Sequence, residues 1–461
     1  MVSRRRFLTH GCALGMASAT LSSSLLQLGL ARNVAAQGVT GYRALVCILL
    51  AGGNDSYNML VPLDNDQYAE YRNIRSDLAL EQSSLLPLTG TAANGRTYGV
   101  HPAMPELQSL YDSNDACLVA NVGTLLEKVD AAAVASGSAQ LPLGLFSHSD
   151  QIAQWQTAVP DDRSAQGWGG RVADLVNSTN LANGISMNIS LSGTNVFQSG
   201  NTIAEYSIQP EGDGATGING YDDGTGFGTF RKRMLDDLLG VQQPHILRRE
   251  YSRRLRNAID SQKTFVEAIR TAPEITTVFS DGVFSQSLRQ IARVIGARTA
   301  LGAQRQTFFV TVGGWDHHDE VLNNQAGLLP QISKGLREFR DALVELAVFD
   351  QVTTFTISDF GRTLTSNGKG SDHGWGGHHV VMGGAVNGGR IFGDYPLLSS
   401  TSPLDVGRGV YVPTTAVDEY FAELALWFGV GASDLDTVLP NVRRFYVPES
   451  AAAPLGFMVS S

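Results

Sequence analysis

The chain has 461 residues, 43% of them hydrophobic and 17% charged, which is ample material for a packed core and the wrong balance for a disordered polymer. Its formal charge is −10; setting aside residues 1–36, which hold four arginines and no acid, leaves 30 basic against 44 acidic side chains, a charge of −14. A body this acidic excludes nucleic acid as a partner, and no basic cluster is expected after residue 36.

The first 36 residues read as a twin-arginine signal peptide. Ser3-Arg4-Arg5-Arg6-Phe7-Leu8 is a charged start, Cys12 to Leu30 is an apolar stretch rich in small residues, and Val34-Ala35-Ala36 supplies a cleavage site after Ala36. Ser22, Ser23, Ser24 and Gln27 dilute that stretch too much for a stable span, and no other segment approaches the ~20 apolar residues a membrane helix needs. The expected partner is therefore the twin-arginine export machinery, the expected location periplasmic or secreted, and no stable membrane anchor is expected. That route carries folded proteins, often ones that receive a metal or cofactor before export.

Residues 37–461 are expected to form a single α/β domain. Residues 44–50 are a continuous apolar run closed by a Gly-rich turn, the pattern of a strand covered on both faces. A helix is predicted over Pro105–Tyr111, and 116–122 repeats the apolar pattern. Cys47 and Cys117 fall inside these two runs and read as buried thiols on neighbouring strands, without a spacing that implies a disulfide. Residues 200–262 read as an excursion from the core: 211–229 are rich in Gly and Asp, and from 231 on basic, acidic and apolar residues mix at helical spacing. Residues 307–312 and 352–357 are β-branched and aromatic strands, separated by helical spacing from Gly327 to Phe349, which makes a βαβ unit. A last helix is predicted over Ala416–Phe428. The fold class is α/β, with a largely parallel central sheet and helices on both faces.

Eight histidines follow residue 36, and five lie in two short stretches, Gly313-Gly314-Trp315-Asp316-His317-His318 and Asp372-His373-Gly374-Trp375-Gly376-Gly377-His378-His379. Each comes soon after a predicted strand, as do Asp55 and Asp359, and strand ends of parallel sheets are where α/β proteins place ligands. Carboxylates and imidazoles meeting at one sheet edge repel or desolvate one another unless a cation lies between them. This makes Asp55, Asp316, His318, Asp359, Asp372, His373 and His378 candidate ligands for a divalent ion, Zn or Mn above all. Alternation along an extended segment puts Asp316 and His318 on one side and His317 on the other, and allows only one of His378 and His379 to face the site.

These motifs identify a resemblance to the DUF1501 family of exported bacterial proteins, which itself resembles the alkaline phosphatase and sulfatase superfamily. It is carried by Leu49-Leu50-Ala51-Gly52-Gly53-Asn54-Asp55 with Asn58 and Pro62, His101-Pro102-Ala103, Ser147-His148 with Gln151 and Trp155, Gly167-Trp168-Gly169-Gly170-Arg171, Gly313 to His318, Ser358-Asp359-Phe360-Gly361-Arg362-Thr363 and Asp372-His373-Gly374. The resemblance implies an alkaline-phosphatase-like fold, one or two metals at the sheet edge and an anionic ester substrate. It also implies an Asp ligand after the first strand, matched by Asp55, and a Ser-Asp-His-Gly motif in which Phe360 here replaces the His. A hydroxyl nucleophile is implied as well: Ser147, before a predicted helix, is the first candidate and Thr124 the second. Ser147 read locally is a helix cap, and its neighbour His148 is an alternative ligand. Arg362 is a candidate clamp for the ester, or a loop-fixing arginine. Two functions fit: a metal-dependent hydrolase of phosphate or sulfate esters, or a non-catalytic binding or assembly protein that keeps the fold and a structural metal.

Overall fold

A computed structural model describes residues 41–459 apart from 91, 181–183, 222 and 400, so the export signal and its cleavage site lie outside the described residues. The strands that matter for the site are, in chain order, β1 (Arg43–Leu50), β2 (Ala116–Gly123), β3 (Asn188–Ser190), β4 (Tyr206–Ser207), β5 (Arg305–Val312), β6 (Val352–Ser358), β7 (Arg362–Ser366), β8 (Ser371–His373), β9 (Gly377–Met382), β10 (Ile391–Phe392) and β11 (Thr415–Ala416). All except β7 and β8 belong to one nine-stranded sheet in the order β10-β2-β9-β6-β1-β5-β3-β4, with β11 also paired to β2. Every pairing in it is parallel except those of β9, which runs against both β2 and β6.

The helices include α1 (Pro105–Asp112), α2 (His148–Thr157), α3 (Trp168–Val176), α4 (Gly226–Gly240), α5 (Ile246–Arg270), α6 (Val283–Gly296), α7 (Val321–Glu345) and α8 (Val417–Phe428). They cover both sheet faces, which explains why the β1 sequence is apolar without a break. Ala44, Val46, Ile48 and Leu50 pack in one core with Leu288 and Ile291 of α6 and Leu336 and Phe339 of α7. Leu45, Cys47 and Leu49 pack in the other with Trp155 of α2, Trp168 and Val172 of α3, and Phe421 of α8. With side chains alternating across the pleat, each face needs its own apolar set.

Two expectations change. Cys47 and Cys117 are buried, free thiols, but β6 and β9 separate their strands. Three strand spacings of about 4.8 Å put them roughly 14 Å apart, beyond any disulfide. The excursion is helical only from residue 226 and extends to Arg270, where the second half of α5 returns to the core through Ile259, Phe265 and Ile269. Among the described residues no helix is long and apolar enough to cross a membrane.

Register decides what the sheet can build. Leu50 at the end of β1 lies opposite Val312 of β5 and Ser358 of β6, so three neighbouring strands finish level. The loops that follow them share one edge, and the hairpin β7–β8, with Arg362 opposite His373, folds beside them.

Burial raises the pKa of both thiols well above its usual value. Cys47 and Cys117 should therefore resist a thiol reagent such as DTNB in the native protein and react fully once guanidinium unfolds it. Rapid native reaction of either would contradict this packing.

Candidate metal centre

Close approach of the three loops depends on two glycines after β1. Gly52 has φ +122°, and a Cβ there would come within 2.5 Å of the Asp316 backbone nitrogen. Gly53 has φ +84°, and a Cβ there would come within 2.6 Å of the Phe360 ring. Only glycine accepts such backbone without strain, and here the space is also taken. The Gly52 N–H donates to Asp359 Oδ1 at 2.9 Å, tying the first loop to the third.

Three histidines and one aspartate meet above this edge. The ligand atoms of His148, Asp316 and His373 all lie within 4.8 Å of one another. His373 Nε2 is 3.1 Å from His148 Nε2 and 2.9 Å from His318 Nε2. Asp316 Oδ1 is 3.2 Å from His318 Nε2 and 3.7 Å from His373 Nε2, and Asp316 Oδ2 is 3.6 Å from His148 Nε2. Ligands bound to zinc at about 2.0–2.1 Å in a tetrahedron are separated by roughly 3.3 Å, and the spacings around His373 and Asp316 lie near that value.

The opposite ring nitrogens explain why the cluster is not an ordinary hydrogen-bond network. His148 Nδ1 meets Asp359 Oδ2 at 2.6 Å, His318 Nδ1 meets Asp372 Oδ1 at 3.2 Å, and His373 Nδ1 meets the Phe146 carbonyl at 2.8 Å. A carbonyl cannot donate, so His373 carries its proton on Nδ1; the carboxylates select the same tautomer in the other two rings. In neutral rings each Nε2 is then a bare lone pair; that of His373 faces both His148 and His318, and the Asp316 carboxylate lies beside all three. Such donors need a cation, and the backing acceptors are the usual means of orienting histidine ligands.

Electrostatics agrees. Burial pushes the Asp316 carboxyl up, but the hydrogen bond and charge of the Arg362 guanidinium are the largest opposing influences, and the group stays below the ordinary carboxylate range. Burial lowers the His373 pKa against the opposing pull of the Phe146 carbonyl, and the nearby Arg362 charge lowers it further, which favours the neutral ring. Phe360, itself buried, packs on His148 and His373 with ring centroids 4.8 and 4.6 Å away and floors the site. The outer side is open: the Asp316 side chain is 50% exposed and that of His318 47%.

The residues predicted from sequence therefore divide into layers. Asp316, His318 and His373 sit at the centre, joined by His148. Asp359 and Asp372 stand one layer behind; Asp359 uses both oxygens on Gly52 and His148, and Asp372 is held by Asn367 and Arg408. Asp55 is not grouped with these donors. It is fully buried, paired with Arg75 and accepting from Ser371 Oγ at 2.5 Å, so a guanidinium already neutralises its charge. His378 is also apart, because it belongs to β9 and not to a loop. It stacks on Tyr395 at 4.6 Å and accepts from the Asn121 N–H at 3.0 Å.

Arg362 is corrected from clamp to brace. It is buried, donates to the carbonyls of Gly52, Gly53 and Ser371, and holds Asp316, which leaves no free face for a substrate. Neither proposed nucleophile reaches the centre through a hydrogen bond among the described residues. The Ser147 hydroxyl lies 3.2 Å from that of Ser149, and Thr124 is buried, accepting from Gln151 Nε2. His148 was the hardest ligand to read. It opens a helix, 168 residues before the Asp316 it meets, and its only local signal is its place in the first turn.

Residues 230–433 match the model of DUF1501, described as a protein of unknown function. No curated protein matches the sequence. Among solved structures, the chain is similar to the zinc complex of the C-terminal periplasmic domain of EcEptC from Escherichia coli, at 9% identity and a TM-score of 0.38 over 91% of this chain and 93% of that one. It is similar to the PsFucS1 sulfatase from Pseudoalteromonas sp. at 9% identity and a TM-score of 0.36, over 87% and 71%. For the lipoteichoic acid synthase LtaP from Listeria monocytogenes the figures are 8% and 0.32, over 83% and 81%.

Two outcomes follow. Asp359→Asn and Asp372→Asn each keep the shape but lose the charge behind a histidine; zinc affinity, measured by competition with a chromophoric chelator, should fall roughly 10- to 100-fold. Unchanged affinity would remove these residues from the site. Burial also holds His378 near a pKa of about 3. The unfolded chain binds that proton near pH 6.5, so stability is full above 6.5 and declines as pH falls toward 3. In His378→Gln the slope of unfolding free energy against pH in that window should be shallower by about 1.4 kcal/mol per pH unit, one proton's worth.

Proposed function

We propose that this chain, which carries the DUF1501 match over residues 230–433, is an exported protein that binds one divalent transition ion and hydrolyses an anionic phosphate or sulfate ester. The observation that carries the reading is the meeting of three imidazole Nε2 atoms and the Asp316 carboxylate with every opposite ring nitrogen already engaged. His148, His318, His373 and Asp316 would hold the ion, zinc or manganese by donor type. When bound, such an ion acts as a Lewis acid toward an ester oxygen or a water molecule.

The protein's own part is positional. Asp359, Asp372 and the Phe146 carbonyl fix the three rings in one tautomer, and Arg362 holds Asp316 while its own donors stay fixed to backbone carbonyls. Phe360 keeps solvent from the inner side. Asp316 and His318 are about half exposed on the outer side, the side from which a substrate would approach. With Ser147 and Thr124 engaged elsewhere, water is the attacking group in this reading. The sequence resemblance to alkaline phosphatases and sulfatases favours an ester of phosphorus or sulfur.

One observation favours a second reading. Three imidazoles and a carboxylate are already four donors, the number that closes a structural zinc site. In that case the protein binds its ion without turnover and serves in assembly or binding. The two readings separate in one experiment: metal analysis of protein purified without chelator, paired with a screen of phosphate and sulfate esters. The hydrolase reading expects one ion per chain, ester hydrolysis above background, and loss of both in Asp316→Ala/His318→Ala. One tightly held ion with no hydrolysis selects the second reading, and no ion under any loading condition rejects both.

A further inference from the structure

The helical hairpin is not accounted for by the metal centre. α4 and the first half of α5 stand off the body, and α5 contributes to the core only from Ile259 onward. Along α4, Phe227, Phe230, Met234 and Leu238 recur at three- and four-residue spacing, which sets them on one face, and they are 46–62% exposed. Leu247 and Tyr251 at the start of α5 are exposed as well. So much large apolar surface in one place on a soluble body marks a contact site.

The charge on the same segment runs against that of the chain. Residues 226–256 hold eight basic and three acidic side chains, whereas the whole chain is at −10. Two of the three acids are used inside the hairpin: Asp236 pairs with Lys232 and Arg256, and Glu250 with Arg253 and Arg254. Arg231, Arg233, Arg248 and Arg249 are exposed. This overturns the expectation that no basic cluster follows residue 36; the cluster was hidden by the acidity of everything around it.

We infer that the hairpin is an arm that docks on the surface of an anionic lipid bilayer. An amphipathic helix with large apolar side chains on one face and arginines beside it lies in the headgroup region, where acyl chains take the apolar stripe and anionic headgroups take the guanidinium groups. A nucleic acid would meet the arginines and leave the stripe in water. A second copy docking arm to arm would cover the stripe by bringing two basic surfaces together. The acidic remainder of the chain is repelled by the same bilayer. Fifteen residues of α4 span about 22 Å, more than twice a Debye length of roughly 10 Å, so arm and body can obey opposite fields. The arm then orients the body, and this holds whether or not the metal centre is catalytic.

The test is co-sedimentation of the full chain with phosphatidylglycerol-containing vesicles and with pure phosphatidylcholine vesicles, at low and high salt. The parent is compared with Phe230→Glu/Leu238→Glu and with Arg248→Glu/Arg249→Glu, so any contribution of residues 1–36 is common to all three. All four positions are exposed, and matching thermal melts confirm an intact fold. The expected result is binding to the anionic vesicles that salt weakens, with each double variant at least about tenfold weaker. Equal binding by parent and variants overturns the inference, as does no binding to anionic vesicles. Dimerisation by the parent that Phe230→Glu/Leu238→Glu abolishes, without vesicle binding, overturns it in favour of a second copy.

Discussion

The His373 lone pair facing those of His148 and His318 is unstable unless something positive lies between them, and the edge of the sheet is arranged around that constraint. The tautomers are set from behind by Asp359, Asp372 and the Phe146 carbonyl, so no ring can relieve the conflict by placing a proton on Nε2 while staying neutral. The rings come from three separate parts of the chain: the start of α2, the loop after β5 and the end of β8. What brings them together is the level finish of β1, β5 and β6 and the tight seat of Gly52 and Gly53 beneath the other two loops.

Charge is managed differently in the two halves of this edge. Around the imidazoles the carboxylates keep histidine partners, and Asp316 and Asp372 remain partly open to solvent while Asp359 is buried. At Asp55 the partner is Arg75, wholly buried, which also reaches the carbonyls of Thr363 and Leu364 and the side chain of Asn58. A buried pair of this kind costs desolvation and is retained when it locks neighbouring segments together. Arg75 thus ties the first loop to β7. Phe360 adds an apolar floor beneath His148 and His373.

The arm and the metal centre are independent features of one surface chemistry. The centre concentrates donors on a rigid sheet edge, while the hairpin exposes apolar and basic side chains on a segment with little core of its own. Rigidity suits ligands that must hold a fraction of an ångström; a stand-off helix suits contact with a soft, wide surface.

Periodicity and composition along the chain were sufficient for the architecture. β1 and β2 were recognisable because strands covered on both faces read as near-continuous apolar runs, β5 and β6 by their β-branched and aromatic content, and α8 because its apolar residues repeat at helical spacing. Asp316, His318 and His373 were recognisable as candidate ligands because short Asp/His stretches followed those strands. Tertiary structure alone decided the rest. It set Asp359 and Asp372 behind the rings, gave Asp55 to Arg75, put His378 inside β9, and placed His148, which the sequence offered only as an alternative to its neighbour Ser147, beside Asp316 and His373. Strand spacing and loop order are local properties that a sequence displays directly, whereas which side chain meets which depends on register and crossover between segments more than a hundred residues apart, and nothing local encodes that.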